Sequence, residues 1–375
     1  VWKTAIPGKA WSSPVIWGDR IWLTNAREDG IQLFAISVDK NTGKIVYKER
    51  LHIVIAPQYC HPFNSYASPS PAIEEGRVYL SFGSPYNACL DSGTGEVIWE
   101  RTDFICNHFR GAGSSPFIYK HLLIVHFDGS DYQYLVAMDK HTGETVWKTD
   151  RSVDFQDLDP KTGKPVLEGD YRKAFSTPVI ADVQGKPVLI SLASRALYAY
   201  EPETGKELWR VETTDSHSGA CRPVVGHGLV FSPMGSGTGY LWAVRPDGIG
   251  VVTDSHIAWE YKRVVPKRSS LLLVDDLLFM VDDDGVAACL EAKTGEEIWR
   301  VRLGGNYSSS PIHSNGKVYF FDQTGKSTVI EAGPEYKVIA VNQLDEGFMA
   351  SPAVSGNALY LRTRTDLYRI EDGSR

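Results

Sequence analysis

The sequence predicts an all-β ring, an eight-bladed β-propeller of four-stranded antiparallel blades, closed by the N-terminal strand pairing into the C-terminal blade. Three observations carry the prediction. A nine-residue unit, acid-x-x-Thr-Gly-x-x-x-aromatic, recurs five times. A small residue followed by Pro stands at the head of a short strand ahead of each copy. The composition is rich in turn and ring residues, with 34 Gly, 20 Pro, 10 Trp and 18 Tyr against only 4 Met in 375 residues, which favours short strands joined by tight turns.

The repeat fixes the elements in order. Its five copies run from Asp39 to Tyr47, Asp91 to Trp99, Asp139 to Trp147, Glu201 to Trp209 and Glu291 to Trp299. The gap before the last copy is wide enough for two units, and a degenerate one lies there, with Pro246-Asp-Gly248 as the turn and Trp259 as the aromatic. The strand-opening residues are Pro14, Pro71, Pro116, Pro178, Pro223, Pro311 and Pro352, with Leu271 in the sixth place. Eight units of about 45 residues, each with four short strands, are the pattern of propeller blades. The first unit shows the scheme, with strands at Pro14 to Trp17, Arg20 to Thr24, Leu33 to Val38 and Lys44 to Tyr47. The last unit ends on its third strand at Leu367 to Ile370, and Val1-Trp2-Lys3-Thr4 repeats the pattern of the missing fourth. Pairing the two ends removes the open sheet edges and makes residues 1–375 one domain. In each turn Gly supplies a positive φ while the acid or Thr bonds local amides. The aromatic four residues on wedges between blades.

Charge and composition exclude several classes. Lys and Arg number 39 against 46 Asp and Glu, a formal charge of −7, which argues against nucleic acid as a partner because phosphate contacts need a basic face. No run approaches the ~20 apolar residues of a membrane-spanning helix. The chain opens at Val1 directly on a strand-like stretch, read here as following a removed leader. The five cysteines include no C-x-x-C pair and no zinc spacing. Cys89 and Cys289 occupy matching third strands and are expected as buried, inert thiols. Cys60 and Cys106 sit in loops leading into neighbouring blades, as a disulfide in an oxidising compartment or as two free thiols.

Loops leading into the blades carry the chemistry-bearing residues, and in a propeller they open on one face with the loops joining second and third strands. Tyr59 to Tyr66 leads into the second blade, Cys106 to Arg110 into the third, Asp215 to Arg222 into the fifth, Lys267-Arg268 into the sixth and Gly304 to Tyr307 into the seventh. The acid-base candidates are His61, Tyr66, His108, Asp131 and His217, since a His titrating near neutrality beside a Tyr abstracts and returns a proton. The ligand-binding candidates are Asn64, Asn107, Arg110, Arg172, Lys173, Arg222, Arg268 and Tyr307. Arginine forks suit carboxylates and sulfates, while Tyr59, Tyr66, Tyr307 and Phe348 offer faces for sugar rings. His61, His108 and His217 become metal ligands if their rings converge, or structural residues if each bonds inter-blade backbone. The longest insertion, Arg151 to Lys173, reads as a lid or as a surface excursion. Asp282-Asp-Asp-Gly285 is too short for a calcium loop and reads as a solvated hairpin.

The repeat, as it stands at Asp91 to Trp99, Asp139 to Trp147 and Glu291 to Trp299, resembles the tryptophan-docking repeat of the pyrroloquinoline-quinone-like (PQQ-like) propellers over essentially the whole chain. That superfamily includes quinoprotein alcohol dehydrogenases and the propeller lipoprotein of the outer-membrane β-barrel assembly machinery. Trp11-Ser-Ser-Pro14 and Phe348-Met-Ala-Ser-Pro352 are similar to the openings in large secreted bacterial repeat proteins of the same kind. The resemblance implies eight blades and a periplasmic or extracellular location. Quinoprotein dehydrogenases carry a vicinal cysteine pair and a calcium set of Glu, Asn and Asp; neither can be placed here, so no PQQ and no other cofactor is expected beyond a divalent metal at the histidines. Fold does not bring function with it. The residues suggest a funnel for a small-molecule or glycan ligand, polar and acidic, with lyase or hydrolase chemistry. The alternative is a non-catalytic scaffold for protein partners, which predicts exposed apolar patches on the blade-entry face and an indifferent funnel; a quinoprotein oxidoreductase is the third reading.

Overall fold

The computed structural model describes residues 1–371 and is an eight-bladed β-propeller of four-stranded antiparallel blades. Strands follow chain order from the axis outward, as in blade 1 with Val15–Trp17, Arg20–Ala26, Gln32–Asp39 and Ile45–Ile53. Among the described residues, helix is confined to two four-residue pieces, Val166–Gly169 and Thr253–His256. No helix among the described residues is long and apolar enough to cross a membrane. The expected ring closure is present: Trp2–Ala5 pairs with Asp366–Glu371, Trp2 opposite Arg369 and Ala5 opposite Asp366. Blade 4 carries one unexpected addition. Gly250–Val251 lies parallel against its outer strand, at Trp209 and Arg210.

The repeated turn works as a socket. Asp39 accepts hydrogen bonds from the amides of Asn41 and Thr42 at 3.1 and 2.7 Å and from the Thr42 hydroxyl at 2.8 Å. These bonds, the Thr42 amide first, hold the Asp39 carboxyl below its ordinary pKa. Glycine is required on two counts. Gly143 has φ +76°, and a Cβ there would lie 2.8 Å from the Trp99 indole of the preceding blade. The indole also bonds the turn, Trp99 Nε1 donating to the Lys140 carbonyl at 3.0 Å. A bulge recurs in blades 1 to 7 where the third strand meets the fourth; in blade 3 it falls between the Ala137–Trp147 and Met138–Thr145 pairs. Such a bulge re-aims the side chain beside it, here the docking ring.

Cys89 and Cys289 are buried as expected, and burial pushes both thiols up to about 12. All five cysteines are free, so Cys60 and Cys106 are two thiols without a disulfide.

Candidate functional site

Loops leading into blades 2 to 6 enclose a cavity of about 610 Å³ on one face of the ring. Its polar lining includes His61 and Asn64 from the blade 2 loop, Arg110 from blade 3, Asp170 and Lys173 from blade 4, His217, Ser218 and Ser236 from blade 5, and Lys267 and Arg268 from blade 6. Phe63 and Phe175 supply apolar wall, and Asp283 enters from the blade 6 hairpin. Four cations thus face two carboxylates in a chain that is acidic overall.

Each carboxylate is already engaged. Asp170 receives Arg110 Nε and Nη2 at 3.3 and 3.4 Å and is touched by Lys173 Nζ, which also donates to the Asp170 carbonyl at 2.5 Å. Burial works to raise the Asp170 carboxyl, but Lys173 and Arg110 outweigh it and leave the group below its ordinary value. Burial lowers the Lys173 ammonium, with Asp170 opposing. Asp283 Oδ2 accepts from Arg268 Nε and Nη2 at 2.9 and 2.7 Å, and that guanidinium lies 4.4 Å from the Phe63 ring centre. Lys267 alone has no side-chain partner among the described residues.

Two of the three histidines reach the cavity. The Phe63 amide donates to His61 Nδ1 at 3.1 Å, which places that ring's proton on Nε2. His217 Nδ1 lies 2.8 Å from Ser218 Oγ, with the ring edge-on to Tyr171; burial first, then the Lys173 charge, lowers its pKa. His108 lies outside. It is 6% exposed, its Nε2 accepts the Ser84 amide at 2.9 Å, and burial drives its pKa down to about 4. The expected three-histidine metal set therefore does not converge. Among the described residues no group of three or more His, Cys, Asp or Glu side chains is placed to hold a metal.

The remaining predicted residues divide between cavity and framework. Asn64 lines the cavity and also ties two loops, its Nδ2 donating to the Arg110 and Ala112 carbonyls at 3.0 and 3.3 Å. Asn107 and Asp131 close an exposed loop pair, Asp131 Oδ1 accepting the Asn107 amide at 2.7 Å. Tyr66 donates to the Gln58 carbonyl at 2.9 Å, and burial raises its pKa. Arg172 forks onto Asp157, its shortest bond 2.5 Å. Tyr307 is fully buried and bridges to Asp322. Arg222 lines the central channel, off the cavity. Tyr59 and Phe348, expected as sugar platforms, lie outside the cavity, Phe348 being buried.

Sequence reasoning missed Asp170, Asp283, Phe63, Phe175 and Ser218. Asp170 belongs to the Arg151 to Lys173 insertion, whose end supplies Asp170 and Lys173 to the cavity wall. Arg151 is buried in it with Nε and Nη2 on Asp128 at 2.9 and 2.7 Å and Nη1 on Ser191 at 2.8 Å. A buried pair of this kind is costly to break, so the segment is anchored at both ends, by Arg151 and by Arg172. The signal was its run of acids between two basic residues, a pattern that self-pairing satisfies. Asp283 belongs to the Asp-Asp-Asp-Gly hairpin, whose middle carboxylate meets Arg268.

Residues 36–158 and 133–374 match the family described as outer membrane protein assembly factor BamB. The chain belongs to that family. Relatives of known identity are distant. The BamB of Legionella pneumophila is 24% identical over 196 residues, 52% of this chain and 50% of its own length. The quinoprotein alcohol dehydrogenase PedE of Pseudomonas putida is 28% identical over 289 residues, 67% of this chain but 42% of its own length, so the chain spans less than half of that relative. Among solved structures, BamB from Moraxella catarrhalis superposes with a TM-score of 0.66 at 13% identity, covering 99% of each chain. A europium-containing methanol dehydrogenase superposes at 0.70 and 11% identity, covering 96% of this chain and 84% of its own. Those two likenesses extend to the fold.

Proposed function

We propose that this propeller is a non-catalytic, extracytoplasmic scaffold that binds protein partners through its funnel face. The observation that carries the reading is a set of exposed apolar side chains on the loops of blades 2 to 4. Ile55 is 98% exposed, Ile105 67% and Tyr132 54%, with Tyr59 beside them and Leu158 and Leu167 on the blade 4 insertion. The loops beneath are braced to one another, Gln58 Nε2 donating to the Cys106 carbonyl at 2.8 Å and the Ser130 amide to the Asn107 carbonyl at 2.8 Å. Rigid loops presenting large apolar residues to water are what a partner surface requires.

The cavity supports the same reading. A general acid or base needs a titrating group free to reach a substrate; of the five candidates His61 and His217 line the cavity, while His108, Tyr66 and Asp131 are spent on framework bonds outside it, so the His–Tyr pairing does not assemble there. Of the rings expected as sugar platforms, Tyr59, Tyr66, Tyr307 and Phe348, none lines the cavity, whose aromatic wall is Phe63, with Arg268 over one face, and Phe175. The residues also do not fit a quinone of the dehydrogenase relatives: the thiols are scattered, and no acidic cluster for its calcium exists among the described residues. BamB relatives and this face point to one class of partner, proteins of outer-membrane assembly.

A photo-crosslinking scan tests the reading. Probes at positions 55, 105 and 167 should trap a discrete protein partner in the periplasm, while a probe at Ile249, 90% exposed on the outer rim, should not. The triple variant I55S/I105S/L167S should lose that product with its melting midpoint within about 2 °C of wild type, since exposed substitutions cost little. Equal crosslinking at all four positions would end the proposal.

A further inference from the structure

The central channel carries an arrangement that the funnel does not use. The residues that precede the seven strand-opening prolines and Leu271 form a ring around the axis: Ser13, Ser70, Ser115, Thr177, Arg222, Ser270, Ser310 and Ser351. Seven of the eight are hydroxyl residues. Main-chain amides link each to the next, Ser13 to Ser70 Oγ at 2.8 Å, Ser70 to Ser115 Oγ at 2.9 Å, and Ser115 to Thr177 Oγ1 at 3.0 Å. The chain resumes with Arg222 to Ser270 Oγ at 2.9 Å and Ser270 to Ser310 Oγ at 3.0 Å. It closes from Ser310 to Ser351 Oγ at 2.9 Å and from Ser351 to Ser13 Oγ at 3.0 Å. Every one of the seven oxygens accepts an N–H, and none of the seven hydroxyls donates to a protein acceptor among the described residues. A hydroxyl that already accepts has its proton polarised and free to donate.

Arg222 breaks the pattern at the fifth place. Its Nε donates to the Pro178 carbonyl at 3.1 Å, its guanidinium lies 5.5 Å from the Phe117 ring centre, and it makes no ion pair among the described residues. Its side chain lines the channel with no carboxylate beside it among the lining residues. The channel, about 750 Å³, is lined by these hydroxyls, by Trp11, Phe117, Phe175 and Met349, and by only two charged groups, Arg222 and Arg268. It has no acidic lining residue.

We propose that this channel is a binding site for a small oxyanion, a sulfate, a phosphate or a carboxylate group, held by the free Nη edge of Arg222 and the neighbouring ring hydroxyls. A planar guanidinium matches an oxyanion through two parallel N–H bonds, and hydroxyl donors without competing acceptors complete its coordination. Gly113, Phe175, Ala220 and Arg268 line both channel and cavity, so the site is reached through the funnel. It is independent of the partner-binding reading, because the exposed apolar residues of the loops take no part in it.

Calorimetric titration of the purified chain with sulfate, phosphate and acetate, at ionic strength fixed with chloride, tests the site. Wild type should bind one oxyanion saturably and gain thermal stability with it. Arg222→Ser places an eighth hydroxyl in the ring and should weaken binding at least ~10-fold. Arg222→Lys keeps charge without the fork and should weaken it less. Lys267→Ala, in the cavity, should leave affinity unchanged. Preference for sulfate or phosphate identifies a free ion; preference for acetate and for a peptide with a free C-terminal carboxylate identifies the end of a larger ligand. No saturable binding of any of these to wild type, or equal binding by wild type and both Arg222 variants, overturns the proposal.

Discussion

Six blade junctions of this ring are fastened by one device, and two are not. Trp2, Tyr47, Trp99, Trp147, Trp209 and Trp259 each donate a hydrogen bond to a carbonyl in the third-to-fourth strand turn of the next blade, to Lys40, Gly95, Lys140, Pro202, Pro246 and Ala292, at 2.7 to 3.1 Å. At the junction of blades 6 and 7 the ring is present but the socket differs. Blade 7 turns through Ala332-Gly-Pro-Glu-Tyr336 without Thr-Gly, Tyr336 comes to 5.3 Å from Trp299, and Trp299 Nε1 is buried with no partner. At the junction of blades 7 and 8 there is no ring, only Ala340 opposite Val329. The reason is topological: blade 8 takes its fourth strand from the N-terminus, so it has no turn between third and fourth strands to dock on. The difference teaches that the ring and the turn are one unit, and a docking aromatic is useful only where the following blade supplies its socket.

The largest test removes a whole clasp. Trp147 is 8% exposed and bonds Pro202 at 3.0 Å; Trp147→Ala should cost about 3 to 5 kcal/mol, the range for deleting a large buried ring. Trp299→Ala, at a half-buried ring whose N–H has no partner, should cost clearly less. Denaturant midpoints of the two variants measure this, and equal losses would mean that the clasp hydrogen bond and socket add nothing to packing. A second test moves to the sockets. Gly143→Ala forces a Cβ onto the Trp99 indole at φ +76° and should cost about 1 to 3 kcal/mol. Gly333→Ala, in the blade 7 turn with open space around it, should change stability by no more than a few tenths.

The girdle was legible in the sequence because it repeats. Five copies of one nine-residue unit, spaced by a blade, leave few alternatives, and the orphaned ends at Val1 and Ile370 identified each other. What the repeat did not disclose is that its glycine is held by the neighbour's ring as much as by φ, since that contact joins residues about one blade apart. The funnel was legible only in part. His61, Asn64, Arg110, Lys173, His217 and Arg268 reach the cavity because each sits near the end of a loop leading into a blade, which topology alone assigns to that face. Asp170 and Asp283 escaped because a carboxylate that neutralises an arginine in another loop leaves no local mark. His108 shares its loop with Arg110 yet turns inward, where it meets Phe127 and the Ser84 amide, contacts that only the folded packing sets.

A ring-for-ring exchange separates the two kinds of junction most sharply, because its effect differs in sign between them. Trp147→Phe leaves a smaller ring in the socket and removes the N–H, so the Pro202 carbonyl loses its donor; that bond alone is worth about 0.5 to 1.5 kcal/mol, and the missing ring atoms add to the loss. Trp299→Phe deletes an N–H that is buried without a partner, and an unsatisfied buried donor itself costs about 1 to 3 kcal/mol. That relief offsets the smaller ring's lost contact with Tyr336 and Phe279, so stability should stay level or rise. Chemical denaturation of both variants under one buffer reads the difference directly. If Trp299→Phe were destabilised as much as Trp147→Phe, its indole would have to find an acceptor in solution, and the blade 6 to 7 junction would be a seventh clasp of the same kind.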